Sequence, residues 1–596
     1  RQRQMCIRDR SGRGEAAVTI RRHQLGIHPR FRMVDSCAAE FAAVTPYYYS
    51  TYEGGTGENG VDLVPGLETK SKQRIVVIGS GPIRIGQGIE FDYGCVHAVG
   101  AIREMGHEAI IINNNPETVS TDFDTSDRLY FDPLNLESVS EILLREKAHG
   151  ILLQFGGQTA INLALPLSDN LSHLEKLGLN LVIEGTTPEA VDEASDRQRF
   201  EDFAERCQLD MPRGMTAIDS EGVRKAVSSI GYPVLIRPSY VLGGRGMEIL
   251  SNDKQLEAYM DEAFLSPDRP LLIDEYLGNA IELDVDAVCD GEEVLIGAIM
   301  EHLEEAGIHS GDSTCFIPPQ NISEGVLSKV EEWTTTIGLE LGIRGCYNIQ
   351  FAIRDEELYV LEVNPRGSRT FPFVAKATGV PLARIAARVA LGEKLSSLDI
   401  PKPQTEAVSV KAPVFPFIKL RGLDPAPGPE MKSTGEVMGS HVRPAAAYLK
   451  ARMATELPVP TSGGVYITVK DEDKSGTIEL AKRLQEMGFK IHATPGTASA
   501  LREIGSLEVE TCYRIEERKS PDALDLMRRG MIQLVINTPT ATGGAVLDGN
   551  MMRRLAVELN IPFVTTMAGA KMEVEAIAEM QLGTPEPRLL DISTLD

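Results

Sequence analysis

Three short apolar segments, each followed by a loop of small or polar residues, constrain the fold of this chain most strongly. They span residues 75–78, 109–112 and 150–154, and the loops after them are Gly79-Ser80-Gly81-Pro82, Asn113-Asn114-Asn115-Pro116 and Phe155-Gly156-Gly157-Gln158-Thr159. Apolar strands that alternate with helical patterns are typical of an open parallel sheet, which binds ligands at the carboxyl ends of its strands. We therefore predict an α/β domain over residues 72–186, with a helix that follows Pro82 and ends near Met105.

The net charge of the chain disfavours some partners. Its 596 residues include 60 Lys and Arg against 86 Asp and Glu, so the formal net charge is −26. So acidic a chain is poorly suited to the phosphate backbone of DNA or RNA, and we expect no nucleic-acid partner. The same charge repels nucleotides, so a nucleotide site would need its own arginines, lysines or Mg²⁺.

Cysteine spacing and hydropathy favour a cytoplasmic location. The eight cysteines include no Cys-x-x-Cys pair, which leaves zinc and redox motifs unsupported, and free thiols fit a reducing cytoplasm. No apolar run approaches the roughly 20 residues of a membrane span. The Arg-rich N-terminus lacks the apolar stretch of a secretory signal. We expect a cytoplasmic location and no membrane partner.

Composition divides the rest of the chain. Residues 1–10 match no fold and are interpreted as a cloning or sequencing artefact, with a basic arm as the alternative. Residues 11–52 have a mixed pattern, and the glycine-rich stretch up to residue 71 is predicted to be a linker. A mixed α+β pattern covers residues 187–400. Seven prolines between residues 401 and 430 mark an extended connector over 401–455, and a second α/β pattern covers 456–596.

Two glycine-rich loops are candidates for phosphate binding. Gly79-Ser80-Gly81 follows a strand, but Arg84 stands where a dinucleotide fingerprint needs a third glycine, so a tight turn is favoured. The chain has no Gly-Lys dipeptide, which excludes a classical P-loop. The second loop follows Arg237 at a strand end and includes Gly243-Gly244-Arg245-Gly246. Its glycines would let backbone N–H groups reach phosphate oxygens, so phosphate binding is favoured over a plain hairpin turn.

A predicted hairpin carries the residues that would bind a metal. Its strands lie between residues 346 and 363, and a three-residue loop at 355–357 would place Gln350 opposite Glu362. Asn364 would follow on the same face, two residues further on. Three oxygen ligands suit Mg²⁺, which is usually shared with nucleotide phosphates. Taken singly, Glu362 is a surface acid; together with its neighbours it is predicted to bind metal.

Other side chains suit the rest of a nucleotide and its phosphates. Arg366 and Arg369 follow the hairpin and could neutralise charge on a transferring phosphoryl group. Leu277 follows a strand and its apolar side chain suits an adenine ring. The carboxylates of Glu275 and Glu282 suit ribose hydroxyls. A lone histidine is more often structural than catalytic, but His309 lies between two glycines in a donor-rich loop. We interpret it as a ligand contact.

These residues lie within longer strings that resemble the large subunit of carbamoyl phosphate synthetase. The strings are Ile85-Gly86-Gln87-Gly88-Ile89-Glu90-Phe91-Asp92-Tyr93, Asn115-Pro116-Glu117-Thr118-Val119-Ser120-Thr121-Asp122, Phe155-Gly156-Gly157-Gln158-Thr159, Arg237-Pro238-Ser239-Tyr240-Val241-Leu242-Gly243-Gly244-Arg245 and Glu362-Val363-Asn364-Pro365-Arg366. They occur in the family's order, from about residue 20 to the C-terminus. Gly243-Gly244-Arg245-Gly246-Met247-Glu248 resembles the second of the family's two ATP-grasp units, so the chain is similar to a C-terminal half.

The resemblance implies an architecture and a reaction. The fold class is α/β multidomain: a Rossmann-like pre-ATP-grasp domain (72–186), an α+β ATP-grasp domain (187–400) and a methylglyoxal-synthase-like allosteric α/β domain (456–596), preceded by the end of an oligomerisation domain and a linker (11–71). The implied ligase activity is ATP-dependent phosphorylation of carbamate to carbamoyl phosphate, for pyrimidine and arginine biosynthesis. Another ATP-grasp carboxylate ligase and a non-catalytic regulatory fragment remain alternatives.

The resemblance also implies roles for individual residues and cofactors. The cofactors are ATP, two Mg²⁺ or Mn²⁺ ions and K⁺. The implied ligands are Arg197, Arg237, Gly243 and Gly244 for phosphates, Glu275, Leu277 and Glu282 for adenine and ribose, Gly307, Ile308, His309 and Ser310 for the lining of the nucleotide site, Gln350, Glu362 and Asn364 for the metals, and Arg366 and Arg369 for carbamate, with His309 as a further catalytic candidate.

Regulation and partners follow from the same resemblance. The implied nucleotide-monophosphate pocket contains Lys474, Thr494, Thr497 and Asn537, with plain strand-end turns as the alternative. Glu304 and Asp312 fit the family's ornithine site, but Ala412 replaces an acidic residue of ornithine-activated relatives, so ornithine activation is not expected. The implied partners are the N-terminal half of the large subunit, a glutamine amidotransferase small subunit, a nucleotide monophosphate and further copies of the chain.

Overall fold

Four β-sheets, each covered by helices, form the part of the chain that the structure describes. The computed structural model describes residues 15–37, 40, 45–52, 72–238, 246–262, 270–404, 406–417, 419, 424–455, 457–538 and 544–583. Within these ranges, every helix is too short or too polar to cross a lipid bilayer. The prediction of a multidomain α/β fold is confirmed.

The first sheet is the parallel sheet that the apolar segments predict. Every residue of its central strand β3 is buried, and the strand order is β1-β2-β5-β4-β3-β6-β7, parallel except for the β1–β2 pair. Its strands are β1 (Arg30–Met33), β2 (Tyr47–Thr51), β3 (Arg74–Ile78), β4 (Glu108–Ile112), β5 (Arg128–Tyr130), β6 (Gly150–Leu152) and β7 (Val182–Glu184). Its helices are α1 (Glu15–Gln24), α2 (Glu90–Glu104), α3 (Leu136–Glu146), α4 (Gly157–Ile161) and α5 (Ala164–Lys176).

Two features of this sheet differ from the prediction. Residues 30–51, expected to belong to a remnant of another domain, add β1 and β2 to the sheet edge. The helix expected directly after Pro82 begins only at Glu90. The intervening residues turn back instead, because Arg84 and Gln87 exchange backbone hydrogen bonds of 3.1 and 2.9 Å around Gly86, whose φ is +83°.

A four-stranded antiparallel sheet opens the second unit. Its strand order is β10-β9-β11-β8. Helix α8 packs on one face of the sheet, where apolar residues such as Val223 of α8 and Ile236 of β9 form a buried cluster. The strands are β8 (Gly214–Ala217), β9 (Val234–Pro238), β10 (Glu248–Leu250) and β11 (Leu271–Glu275). The helices of this region are α6 (Pro188–Ser195), α7 (Arg197–Arg206), α8 (Ser220–Ile230) and α9 (Asp253–Glu262).

The third sheet has seven antiparallel strands in the order β16-β15-β12-β13-β14-β17-β18. Residues 401–455, predicted to be a connector, instead supply its last two strands and a helix. Pro413 is tolerated because β17 has already passed the end of β14 there and pairs only with β18. The strands are β12 (Ile281–Cys289), β13 (Val294–Glu305), β14 (Cys315–Ile317), β15 (Gly345–Arg354), β16 (Glu357–Asn364), β17 (Val408–Val414) and β18 (Gly435–His441). The helices are α10 (Glu324–Glu340), α11 (Phe371–Thr378), α12 (Leu382–Ala390) and α13 (Pro444–Ala454).

The C-terminal unit is a second parallel α/β fold, as its pattern predicts. Its strand order is β21-β20-β19-β22-β23. The strands are β19 (Gly464–Thr468), β20 (Lys490–Ala493), β21 (Val509–Thr511), β22 (Leu534–Asn537) and β23 (Phe563–Val564). The helices are α14 (Lys474–Glu486), α15 (Pro495–Glu503), α16 (Ala523–Arg528), α17 (Gly544–Glu558) and α18 (Met567–Gln581).

Candidate functional site

The β15–β16 hairpin aligns Gln350 with Glu362, as predicted, but by a different route. The turn has two residues rather than three: Asp355 and Glu356, with φ of 54° and 66°. A regular ladder from this turn would place Leu361 opposite Gln350. A β-bulge shifts the register between Phe351 and Gln350, so Glu362 takes that place instead. The predicted loop length is wrong, and the predicted pairing is confirmed.

The hairpin brings the three predicted metal ligands to one face of the sheet. The Asn364 side-chain amide donates to Glu362 Oε1 at 2.6 Å. The Gln350 amide donates to Ser310 Oγ at 2.8 Å. The Glu362 side chain is 42% exposed, and its Oε2 atom lies 3.8 Å from Arg237 Nη1. A carboxylate and two amide oxygens form a donor set that fits Mg²⁺ or Mn²⁺.

Arg366 is a partly buried cation whose hydrogen bonds go to neutral acceptors. It donates to Asn364 Oδ1 at 3.0 Å, to Gln158 Oε1 at 3.0 Å and to the Gly367 carbonyl at 3.1 Å. Its guanidinium also lies 5.8 Å from the centre of the Phe91 ring. Burial lowers the pKa of this guanidinium. Among the described residues it makes no ion pair, so an anionic ligand would compensate its charge.

Arg369, the other predicted arginine, already has an acidic partner. Its Nη2 atom pairs with Glu90 Oε1 at 2.7 Å, and its Nη1 atom lies 2.8 Å from Met431 Sδ. The Glu90 side chain is 4% exposed and comes from the first sheet's α2. The ion pair therefore joins helix α2 of the first unit to the segment that follows the β15–β16 hairpin, at the edge of the site.

The predicted phosphate arginines meet at the end of β11. Arg197 Nη2 lies 2.9 Å from Asp274 Oδ1, and Arg237 Nε lies 3.4 Å from Asp274 Oδ2. This shared carboxylate brings the two guanidinium groups together near Glu362, and Arg197 also pairs with Glu201 at 2.6 Å. The predicted phosphate ligands Gly243 and Gly244 lie outside the described residues.

The predicted adenine and ribose residues lie at strand ends, but they differ in how far protein contacts already occupy their side chains. Leu277 is buried in a small apolar cluster that also contains Leu361, the extra residue of the bulge. Glu275 is ion-paired with Arg213 and Arg354. Glu282 is 7% exposed and uses one oxygen to accept the Gly307 N–H at 3.0 Å. Its carboxylate therefore shapes the loop that begins at Gly307.

The loop from Gly307 to Ser313 is held against the hairpin. Ile308 is partly exposed, and His309 Nδ1 accepts the Gly311 N–H at 3.0 Å. Burial lowers the pKa of His309, so the imidazole is neutral near pH 7. Lys411, fully buried on β17, donates to the Ser310 carbonyl at 3.2 Å.

Both acids of the implied ornithine site hold backbone amides. Asp312 accepts the N–H groups of Lys432 and Ser433 at 2.8 and 2.9 Å. Glu304 accepts from the backbone and hydroxyl of Thr314 at 2.6 and 3.1 Å. The two carboxylates therefore anchor the loop's ends. The side chain of Ala412 on β17 is buried.

Asp286, a residue that the sequence interpretation missed, underlies the site. It accepts hydrogen bonds from Asn348 at 2.9 Å, Ser368 at 2.9 Å and Thr370 at 2.7 Å. Asn348 pairs with Asn364 in the hairpin, and Ser368 and Thr370 flank Arg369. Burial raises the pKa of Asp286 from 3.8 to about 6. Strand pattern alone marks this residue only as an inward-facing acid of β12.

Replacing Asp286 with asparagine is expected to change how stability depends on pH. The raised pKa means that the folded chain binds this proton more tightly than the unfolded chain. The resulting stabilisation is complete below about pH 4 and is lost towards pH 6, by up to about 1.4 kcal/mol per pH unit. Urea unfolding at pH 4 to 7 should show the wild type losing stability relative to Asp286→Asn in that window. A pH-independent difference would contradict the raised pKa.

The predicted regulatory residues gather at the carboxyl ends of β19, β20 and β22. Thr494 Oγ1 lies 3.4 Å from the hydroxyls of both Thr468 and Thr497. Asn537 donates to the Thr468 carbonyl at 3.4 Å. Lys474 begins α14 nearby and pairs with the exposed Asp471 at 2.6 Å. The four residues therefore line one edge of the C-terminal sheet, where parallel sheets bind ligands.

Hydrogen bonds connect this edge of the C-terminal sheet with the loop from Gly307 to Ser313. Arg553 binds Asn537 and also Asp424, at 2.9 Å through Nε. Asp424 accepts the Ala426 N–H at 3.0 Å, and the Ala426 carbonyl accepts from Lys432 Nζ at 2.7 Å. The Lys432 N–H in turn donates to Asp312 in the loop from Gly307 to Ser313. We call the set Asn537, Arg553, Asp424, Ala426, Lys432 and Asp312 the interdomain relay.

Comparisons with known families match the chain along most of its length. The profile described as the carbamoyl phosphate synthase preATP-grasp domain matches residues 71–193. The carbamoyl-phosphate synthase L chain ATP binding domain matches residues 196–398, and an MGS-like domain matches residues 476–565.

Curated relatives extend this similarity to almost the whole chain. The carbamoyl phosphate synthase large chain of Methanothrix thermoacetophila is 50% identical over 582 residues, which are 97% of this chain and 53% of the relative. A protein of Methanocaldococcus jannaschii called carbamoyl phosphate synthase large chain, C-terminal section, is 48% identical over 588 residues, which are 96% of this chain and 93% of that protein. The chain thus spans about half the length of the longer relatives.

Among solved structures, the ADP complex of an N5-carboxyaminoimidazole ribonucleotide synthetase matches with a TM-score of 0.50 at 14% identity, over 64% of this chain and 96% of that one. At that identity the match shows a shared fold only.

Proposed function

The chain belongs to the carbamoyl phosphate synthase large-chain family, and from this premise we propose that it transfers the γ-phosphoryl group of ATP to carbamate. The products are carbamoyl phosphate and ADP, in the last step of glutamine-dependent carbamoyl phosphate synthesis for pyrimidine and arginine biosynthesis. In the longer relatives the remaining half of the chain would supply carbamate, and a glutamine amidotransferase subunit would supply ammonia. We place the reaction in the cytoplasm, in an oligomer.

The observation that carries this proposal is that Arg366 makes no ion pair among the described residues and lies beside the three oxygen ligands. A guanidinium that binds only neutral acceptors provides a site for a small anion. Carbamate would be this anion, next to Asn364 and beside the terminal phosphate of the nucleotide, which the metal ligands would hold. Arg197 and Arg237 would take the other phosphates from the opposite edge.

The transfer itself needs positioning and charge neutralisation more than covalent help. A carbamate oxygen forms the new bond to the γ-phosphorus, the bond from that phosphorus to the β–γ bridging oxygen breaks, and the electron pair leaves on ADP. No proton has to move. Arg366 would orient carbamate, and Arg369, held by Glu90, would stabilise the equatorial oxygens of the phosphoryl group.

Gln350, Glu362 and Asn364 would hold Mg²⁺ or Mn²⁺ through their side-chain oxygens. When bound, two such ions would neutralise phosphate charge and bridge the nucleotide to the protein. The Asn364–Glu362 hydrogen bond and the pairing of Gln350 with Glu362 in the hairpin hold the three side chains near one another. K⁺ would serve as a further cofactor.

Turnover with different acids tests the proposal and separates the alternatives. The chain would be incubated with ATP, Mg²⁺ and ammonium carbamate, and the phosphorus species followed by ³¹P NMR. We expect ADP and a carbamoyl phosphate resonance that bicarbonate or acetate alone does not produce. An acyl phosphate of another acid would favour a different ATP-grasp ligase. Binding of nucleotide monophosphate without turnover would favour a regulatory fragment.

We further propose that a nucleotide monophosphate binds beside Lys474, Thr494, Thr497 and Asn537 and acts through the interdomain relay. The ligand would compete with Arg553 for Asn537, which would free Arg553 to move relative to Asp424. Asp424 and Lys432 would pass the change to Asp312 and the loop that holds Ser310. The relay is a continuous set of hydrogen bonds whose members touch both sites.

Replacing Asp424 with asparagine is expected to remove most of this coupling. The neutral amide cannot hold the Arg553 guanidinium as tightly, so the relay loses its charge-assisted link. The common nucleotide monophosphates would be tried in turn with the wild type. The one that binds should change the affinity for ADP by about 5- to 150-fold, and in Asp424→Asn by less than about 2-fold. Titration calorimetry with and without the monophosphate measures both. Glu558→Gln, an exposed change on the same helix as Arg553, is the control. Full coupling in Asp424→Asn would exclude this route.

A further inference from the structure

Three histidines and a glutamate meet on the first unit, away from the nucleotide ligands described above. His23 lies in α1, His28 in the loop after it, Glu141 on α3 and His173 on α5. The ring centroids of His23 and His28 are 4.6 Å apart, and those of His23 and His173 are 6.1 Å apart. His23 Nε2 lies 2.6 Å from Glu141 Oε1. We call these four residues the histidine cluster.

The cluster leaves buried polar atoms without partners. The side chains of His23 and Glu141 are each 7% exposed. His23 Nδ1 and His173 Nε2 are buried and have no hydrogen-bond partner among the described residues. Such atoms are costly unless a ligand or water satisfies them. A cavity of about 20 Å³ lined in part by His23 and His173 adjoins them, which is room for one water molecule.

The cluster also has the atoms of a metal site. One ligand atom each from His23, His28 and Glu141 lies within 4.8 Å of the other two. Two ligands on a tetrahedral Zn²⁺ ion are about 3.4 Å apart, given metal–ligand distances of about 2.0–2.1 Å, so small side-chain rotations would close the site. His28 is exposed, which gives an ion a way in.

Local charge permits a cation even though an arginine is adjacent. Arg22 binds Glu137, Glu141 and the Tyr52 hydroxyl, and its Nη2 atom is 3.3 Å from His23 Nε2. Two carboxylates therefore face one guanidinium. Arg22 and His23 both contact Glu141 Oε1, and the described contacts leave Glu141 Oε2 for a metal.

We propose that His23, His28 and Glu141 bind one Zn²⁺ ion, with water as the fourth ligand. Two imidazoles, a carboxylate and a water are a common Zn²⁺ ligand set, and the unpartnered His173 Nε2 would hydrogen-bond the water. The ion ties α1 and its following loop to α3. Cysteine spacing does not indicate this site, because its ligands are two histidines and a glutamate, and Glu141 lies 118 positions from His23 in the sequence.

Zinc binding by the full chain tests this site. The protein would be stripped with EDTA, dialysed into buffer with millimolar Mg²⁺ to occupy the nucleotide site's oxygen ligands, and titrated with Zn²⁺ against a chromophoric chelator. We expect one Zn²⁺ per chain with micromolar or tighter affinity. His28→Gln should weaken Zn²⁺ binding by about 100-fold or more. Loss of a residue that only hydrogen-bonds to a metal ligand already lowers metal affinity by about 10- to 100-fold.

The matched control is His107→Gln, a partly exposed histidine elsewhere on the same unit, which should bind Zn²⁺ like the wild type. Zinc should raise the melting temperature of the wild type and of His107→Gln but not of His28→Gln. Because His28 is exposed, the melting temperatures without zinc should be equal, which shows that the variant folds. Equal zinc affinity of the wild type and His28→Gln, or no binding by the wild type, would overturn the proposal.

Discussion

Replacing Glu362 with alanine is expected to lower ATP formation from ADP, Mg²⁺ and carbamoyl phosphate by about 100- to 1,000-fold. Glu362 is the one carboxylate among the three proposed metal ligands, and within the described part of the chain its Oε2 atom makes a single ion pair, with Arg237 at 3.8 Å. Gln350 and Asn364 offer neutral amide oxygens, which bind Mg²⁺ more weakly than a carboxylate does. Initial rates measured with luciferase at saturating Mg²⁺ would give the effect.

The matched control is Glu357→Ala at the other end of the same strand. Glu357 is exposed and pairs with Arg354 beside the turn, on the far side of the bulge from Glu362. Its removal should leave the rate within about 2-fold. Nucleotide-monophosphate binding to the C-terminal unit should be the same in both variants. A Glu362→Ala enzyme with a near wild-type rate would show that the hairpin does not hold the metal.

Replacing Glu573 with alanine is expected to destabilise the chain by about 3–5 kcal/mol. Glu573 on α18 is fully buried and accepts hydrogen bonds from Tyr448 at 2.9 Å and from Arg452 Nε at 3.0 Å, both on α13. Removal of the carboxylate would leave the Arg452 guanidinium, 8% exposed, as a buried charge without its partner. Differential scanning calorimetry should show a lower unfolding temperature for the C-terminal unit, which contacts α13 through this pair.

Glu575→Ala, two residues further along α18, is the matched control. Glu575 pairs with Arg483 in a contact where both side chains are more than 30% exposed, so its loss should cost less than about 1 kcal/mol. Equal shifts for Glu573→Ala and Glu575→Ala would mean that burial of the Arg452–Glu573 pair does not determine the effect.

Local pattern predicted the sheets and the hairpin well, because each depends on short-range alternation. The β15–β16 pairing was right although the turn was one residue shorter than predicted, since the bulge restored the register. A bulge has no distinct signature in a run such as Leu358 to Val363. The late start of α2 was missed for a similar reason: the turn at Gly86 depends on Gln87, whose side chain binds the carbonyls of Ser80 and Gly156.

Contacts between distant segments could not be predicted from the sequence. The Glu90–Arg369 pair joins residues 279 positions apart, and Lys411 comes from a stretch predicted to be a connector. The role of Asp286 depends on the way two separate segments, β15 and residues 368–370, converge on β12. Local pattern carries no information on such convergence. The resemblance to a known family supplied candidate ligands, and the geometry then showed that Glu282 and Arg369 already have protein partners.

ATP formation from ADP, Mg²⁺ and carbamoyl phosphate by the folded chain tests the central claim most directly. The proposed transfer is reversible, so Arg366 and the metal ligands should support it in this direction without the other half of the longer relatives. We predict ATP with carbamoyl phosphate and none with acetyl phosphate. Absence of ATP from protein that is folded and binds ADP would contradict the claim that this chain phosphorylates carbamate.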